Sequence, residues 1–167
     1  MLAVKDSCVL INLARSAILT QACDYFGGVI IPPLVREEVL DRGSPYQEDA
    51  LLIAEQIETG KIRVVNLKAS LHWDMLDQLN IRGGEAEAVA LYRQENADWL
   101  ATDDDNVRRK RYLLKIQPIG TPAILVRLFR DKVISNIMFL RAVETLRETG
   151  WFSPIVYDTL LAEANND

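Results

Sequence analysis

Short apolar runs alternate along the chain with longer stretches in which apolar residues recur at three- and four-residue spacing. Met1–Lys5, Val29–Ile31, Ile62–Val65, Trp99–Thr102 and Ile116–Ile119 read as strands. Each is short and mostly apolar, as strands covered on both faces are. The stretches between them read as helices with clear punctuation. Cys8–Ala14 and Ile18–Phe26 form a helical pair that ends at Gly27-Gly28, and Leu34–Leu40 follows Pro32-Pro33. Ser44-Pro45-Tyr46-Gln47 offers an N-cap, a first-position proline and a capping-box glutamine, opening a helix that runs to Thr59 and stops at Gly60. Glu85–Glu95 follows Gly83-Gly84, and one helix is expected over Asp105–Lys115. Thr121-Pro122 and Ser153-Pro154 each read as N-cap plus proline, and Val133–Thr149 is a further helix stopped by Gly150.

Strands that alternate with helices across short connections predict an α/β fold with a mainly parallel sheet, the helices serving as crossovers. No repeat, low-complexity tract or linker divides the 167 residues, so one domain over 1–167 is expected. With 49% apolar and 26% charged residues, disorder, collagen and coiled-coil rods are excluded. The longest stretch without a charge is 11 residues, at Tyr25–Val35 and again at Ile116–Val126, too short to span a membrane. Asp6 and Arg15 interrupt the first apolar stretch, which does not read as a signal peptide. Cys8 and Cys23 read as reduced core thiols of a cytoplasmic protein, with a disulfide between them as the lesser alternative.

The net charge of −5 is unevenly spread. Residues 106–150 carry 10 Lys/Arg against 3 Asp/Glu, a local +7, and the remainder carries 9 against 21, a local −12. An acidic body with a basic segment can place carboxylates beside a phosphate-attracting face, although solvated helix faces give the same pattern.

In parallel sheets the ligand crevice lies at the carboxyl ends of the strands, and acids gather there. Asp6 follows the first strand directly. Asp103-Asp104-Asp105 follows the fourth, right after Thr102. Glu85 opens the helix before that strand, and Glu37 and Glu38 lie on the helix after the second. Converging carboxylates repel one another unless a proton or cation intervenes. Oxygen ligands without His or Cys select Mg²⁺ or Mn²⁺, whose open positions suit substrate phosphate oxygens. Helix capping accounts for Asp104 or Asp105 taken singly. Glu85 and Glu87 lie about 200° apart on their helix and Glu37 and Glu38 about 100° apart, so no more than one of each pair is expected to face the crevice.

Four segments resemble the PIN-domain nucleases. Lys5-Asp6-Ser7-Cys8-Val9-Leu10 is similar to the family's first motif, and Ile31-Pro32-Pro33-Leu34-Val35-Arg36-Glu37-Glu38-Val39 to its second, with Glu38 at the functional acid. Gly84-Glu85-Ala86-Glu87-Ala88-Val89 resembles the third and Leu100-Ala101-Thr102-Asp103-Asp104 the fourth, with Asp104 matching best and Asp103 able to share the role. Ile119-Gly120-Thr121 and Asp131-Lys132-Val133-Ile134 resemble a bacterial and archaeal branch similar to the VapC-type toxins. The resemblance covers nearly the whole chain. It implies a three-layer αβα sandwich with a five-stranded mainly parallel sheet and a possible homodimer. It also implies Mg²⁺- or Mn²⁺-dependent endoribonuclease activity and a cognate antitoxin that blocks the crevice. Asp6, Glu85, Asp103 and Asp104 would hold the metal, and Glu38 would support it or a second ion.

Ser7 and Thr102 adjoin these acids and could hold a carboxylate or a water, with capping an equal reading for Ser7. Asn12, near two helical turns past Asp6, could orient it. Arg108 is the expected phosphate contact, with Arg111 about 60° away and Arg109 and Lys110 turned toward solvent. The single histidine, His72, excludes a paired-His metal site. Trp73, Trp99 and Trp151 read as core packing rather than base-stacking platforms. Two other functions compete: a non-catalytic binding module, and a phosphatase with Asp6 as nucleophile, which would want an acid where Cys8 stands.

Overall fold

The computed structural model describes residues 1–40, 47–68, 73–149 and 152–164. In chain order the elements are β1 (Ala3–Lys5), α1 (Ser7–Arg15), α2 (Leu19–Phe26), β2 (Val29–Ile31), α3 (Pro33–Leu40), α4 (Gln47–Glu58), β3 (Ile62–Val64), α5 (Trp73–Gln78) and α6 (Gly83–Gln94). The second half adds β4 (Trp99–Ala101), α7 (Asp105–Arg109), α8 (Arg111–Leu114), β5 (Pro118–Ile119), α9 (Thr121–Arg130), α10 (Asn136–Thr149) and α11 (Pro154–Ala164).

The five strands form one sheet in the order β3-β2-β1-β4-β5, and every pairing is parallel. The predicted α/β architecture is therefore present, with a wholly parallel sheet. Alternation along the strands divides the core into two layers. Ala3, Val29, Ile31, Ala101 and Ile119 pack with residues of α1, α2, α9 and α10. Val4, Ile30 and Leu100 pack with residues of α6, α7 and α8 on the other face. From β1 the chain passes to β2 on one side and later to β4 on the other, so the connections part company between β1 and β4. That switch point is where an open parallel sheet leaves a crevice.

Three sequence expectations are revised. The helix expected over Asp105–Lys115 is broken at Lys110, which ends α7 and starts α8; its Nζ donates to the Leu79 carbonyl. The helix expected from Val133 starts at Asn136, because Lys132 takes a left-handed conformation (φ 57°) and Ser135 Oγ accepts from the Met138 amide. Thr121 lies inside α9 rather than capping it; Gly120 is the cap. Gly27 ends α2 at φ 70°, as its position before β2 suggested. The capping box Ser44–Gln47, His72, Gly150 and Trp151 lie outside the described residues or side chains. Trp99 packs against the core and Trp73 is exposed. Cys8 and Cys23 are both free thiols. No described helix is long and apolar enough to cross a membrane.

Candidate functional site

Asp6 is the hinge between strand and helix. Its amide donates to the Ala101 carbonyl at 3.0 Å, which fixes the end of β1 beside the end of β4. Its carboxylate caps α1 by accepting from the Val9 amide at 2.9 Å, and the Thr102 hydroxyl also bonds it. Only 2% of Asp6 is exposed. Burial pushes its carboxyl up to about 7; Thr102 and Val9 pull the other way, and the charges of Asp103 and Glu85 raise it further.

Thr102 reaches both neighbouring acids, since its Oγ1 also accepts from the Asp104 amide at 3.1 Å. Asp104 in turn caps α7, its Oδ1 accepting from the Val107 amide at 2.7 Å. The capping expected of Asp104 is thus present, and it leaves the carboxylate facing Glu85. Burial raises Glu85, and the charges of Asp104 and Glu38 add to it. Glu87, on the same helix, accepts from the Leu34 amide and so caps α3 instead of facing the other acids.

Glu38 is the half-buried member of its pair and Glu37 the exposed one. Its two oxygens are held separately, Oε2 by the Ser7 hydroxyl at 2.9 Å and Oε1 by the Gly84 amide at 3.1 Å. Ser7 is therefore a tether for Glu38 and not the α1 cap. Asp6, Glu38, Glu85 and Asp104 come together at the carboxyl ends of β1 and β4. Cys8 lies in the same field: burial, then Asp6, Asp103, Glu85 and Glu38, push its thiol up to about 12, so it carries no thiolate there.

Asp103 is placed differently. Its Oδ1 accepts from the Thr121 amide at 2.7 Å, and its Oδ2 from the Thr121 hydroxyl at 2.5 Å and Asn12 Nδ2 at 3.0 Å. Asn12, expected to orient Asp6, donates to Asp103 instead, across to the segment that follows β4. Thr121 and Gly84, read from the sequence only as a helix cap and as a motif glycine, hold the carboxylates of Asp103 and Glu38. Arg108 is exposed and lies 3.9 Å from Asp105 in an ion pair, in the last turn of α7.

Among the described residues, no three His, Cys, Asp or Glu side chains stand close enough to form a metal cage. Mg²⁺ does not require one, since it keeps several waters and takes one or two carboxylates. The donor set is all oxygen, and Asp6 and Glu85 are both held toward their protonated forms by burial and by neighbouring acids. A hard divalent cation would relieve that repulsion, so these residues fit one. No curated protein and no solved structure matches the chain. A family model described as a PIN domain matches residues 2–166. With acids at the ends of β1 and β4 of a five-stranded parallel sheet, and a match over nearly its whole length, the chain belongs to the PIN-domain family, whose members are generally nucleases.

Proposed function

We propose that the chain is an Mg²⁺- or Mn²⁺-dependent endoribonuclease and the toxin component of a toxin–antitoxin pair. The observation that carries the reading is the gathering of Asp6, Glu38, Glu85 and Asp104 at the switch point, with Asp6 buried and its carboxyl raised to about 7. Asp6, Glu85 and Asp104 would hold one or two ions, some of these residues through bound water rather than directly. When bound, such an ion activates water for attack on phosphorus and offsets charge on the leaving oxygen. The chain's own part is positioning. Thr102 fixes Asp6 and Asp104 relative to each other, and Ser7 with Gly84 fixes Glu38. Asp103, engaged by three protein donors, ties β4 to α1 and α9 and keeps the strand end in place. Cleavage would leave a 5′-phosphate and a 3′-hydroxyl. The free thiols of Cys8 and Cys23 suit a reducing, cytoplasmic setting, and the VapC-type resemblance supports a cognate antitoxin and a homodimer.

The test is cleavage of mixed cellular RNA, including transfer and ribosomal RNA, by purified protein with Mg²⁺, with Mn²⁺ and with chelator. Asp6→Asn is assayed alongside. Metal-dependent cleavage that is lost in Asp6→Asn supports the reading. A folded protein that cleaves nothing with either metal overturns it and moves weight to a binding module.

A further inference from the structure

α3 and α6 lie against each other, yet they are buried in different layers. Val35 and Val39 of α3 belong to the layer of α1, α2, α9 and α10. Ala86, Ala88, Val89 and Leu91 of α6 belong to the layer on the other face of the sheet. Among the described residues, then, no shared apolar layer sets the register between these two helices. Two hydrogen bonds cross between them instead. The Leu34 amide, in the first turn of α3, donates to Glu87 Oε2 on α6 at 3.0 Å. The Gly84 amide, in the first turn of α6, donates to Glu38 Oε1 on α3 at 3.1 Å. Each helix caps the start of the other, as two helices running antiparallel can.

The residues at each start explain why a neighbour is needed. The first turn of a helix leaves its amides without partners inside that helix. Pro32 and Pro33 have no amide hydrogen, so the Leu34 amide is the first that α3 offers. The Arg36 amide is already bonded back to the Pro32 carbonyl at 3.2 Å. At the start of α6, Arg82 supplies no side-chain cap, so the Gly84 amide depends on α3 in the same way. Glu85 and Glu87 leave α6 about 200° apart. Glu85 therefore faces the acids, while Glu87 grips the helix that brings Glu38 to them. With the Leu34 bond gone, α3 would be left to pivot on Glu38 itself.

We infer that Glu87 is a positioning residue: through α3, its bond to the Leu34 amide sets where Glu38 stands against Glu85. The inference rests on the nuclease reading and deepens it, adding a residue outside the acid cluster on which turnover depends. The role calls for an acceptor oxygen on residue 87 and not for its charge.

Two readouts test it, and one needs no catalysis. In metal-free protein labelled with ¹⁵N-glycine, hydrogen exchange at the Gly84 amide reports the bond to Glu38. Glu87→Ala should speed that exchange about tenfold, although the bond it removes is the other one. Glu87→Gln keeps an acceptor for Leu34 and should restore most of the protection. With RNA and Mg²⁺, Glu87→Ala should lower kcat about tenfold and leave KM unchanged, and Glu87→Gln should recover most of the loss. Melting curves fix an assay temperature at which every variant is folded. Unchanged Gly84 exchange in Glu87→Ala overturns the inference, and so does an unchanged kcat. A Gln variant as slow as the Ala variant also overturns it, since the charge of Glu87 would then be what matters. The two readings fail separately. A wild type that cleaves nothing, with Gly84 exchange still following residue 87, sinks the nuclease and keeps the link from Glu87 to Glu38. Metal-dependent cleavage with exchange and kcat both unchanged in Glu87→Ala sinks the link alone.

Discussion

The Gly84 amide donates to Glu38 at 3.1 Å, and the same carboxylate fills the space where a side chain at residue 84 would begin. A Cβ there would lie 2.8 Å from Glu38 Cδ and 2.9 Å from Oε1, closer than carbon atoms tolerate. Gly84 sits in the first turn of α6, where alanine suits the backbone better than glycine by up to about 1 kcal/mol. The atoms in the way are the far end of a flexible side chain. Gly84→Ala should therefore fold and melt close to wild type while swinging Glu38 out of the site. Cleavage should fall at least about tenfold, as misplacement by about 1 Å does elsewhere. Wild-type turnover with a normal melting curve would show that the position of Glu38 is immaterial.

Asp6 makes a pH-dependent liability. Its carboxyl loses its proton near 3.8 in the unfolded chain and near 7 in the folded, metal-free protein. Between these values the folded state binds the extra proton, so stability falls as pH rises, and the loss is complete above about pH 7. Its ceiling is about 4 kcal/mol. Asp6→Asn keeps an oxygen that can accept from the Val9 amide, so the α1 cap survives. In chelator, the variant should be more stable than wild type at pH 8 and lose that advantage toward pH 4. Urea unfolding at both pH values measures it, and a constant difference between them would contradict the buried, raised carboxyl.

Metal addition should reverse that order. A cation that binds only the folded state stabilises it by about 2.7 kcal/mol at a hundred times its dissociation constant. Mg²⁺ or Mn²⁺ should raise the melting temperature of wild type and leave Asp6→Asn and Glu85→Gln nearly unmoved. Proton and metal compete for Asp6, so the shift should grow as pH rises through about 7. An equal shift in all three proteins would place the ion elsewhere.

Thr121 gives Asp103 both an amide and a hydroxyl proton. Asp103 is 9% exposed and Thr121 fully buried, so water cannot stand in for a lost donor. Thr121→Val keeps the shape and the amide but removes the hydroxyl, and a hydrogen bond to a charged group is worth about 2 kcal/mol. Thr121→Ser should recover most of that. Chemical denaturation of the two variants settles the point, and a Val variant as stable as the Ser variant would make the hydroxyl contact idle.

These relationships also show what sequence could and could not reveal. The strands and the acids at their ends were legible because both are local: an apolar run, then Asp6, or Thr102 and then Asp104. The partners that hold those acids were not. Glu38 meets an amide 46 residues on, and Asn12 meets Asp103 across 91 residues. No spacing within one element encodes such a pair. The break in the helix after Asp104 was hidden for the same reason. Lys110 and Asn106 both donate to carbonyls of the turn after α5, so tertiary contacts override a continuous helical pattern. Ser7 and Thr121 looked like caps because hydroxyl residues at helix starts usually are. The backbone gave the capping to Asp6 and Gly120, and the hydroxyls went to carboxylates.

Lys5 yields a final prediction that joins stability to the site. It is fully buried on β1, its Nζ has no hydrogen-bond partner among the described residues, and it lies 4.4 Å from the centre of the Phe26 ring. Burial lowers its ammonium from the ordinary 10.5 to about 8, against smaller opposing effects of Cys23 and Asp6. The charged form therefore carries a penalty of up to about 3 kcal/mol below pH 8. Wild type regains it between pH 8 and 10.5, where the unfolded chain holds the proton and the folded one does not. The ring contact returns about 1 kcal/mol, and a methionine would fill the volume and keep a favourable sulfur–ring contact. Lys5→Met should be more stable than wild type by about 1–2 kcal/mol at pH 7, with the margin closing by pH 10. The attraction between Lys5 and Asp6 is mutual, so losing the ammonium should also raise the Asp6 carboxyl and move metal-dependent cleavage to higher pH. A variant that gains stability without any change in its pH–activity profile would show that Lys5 acts on the core alone.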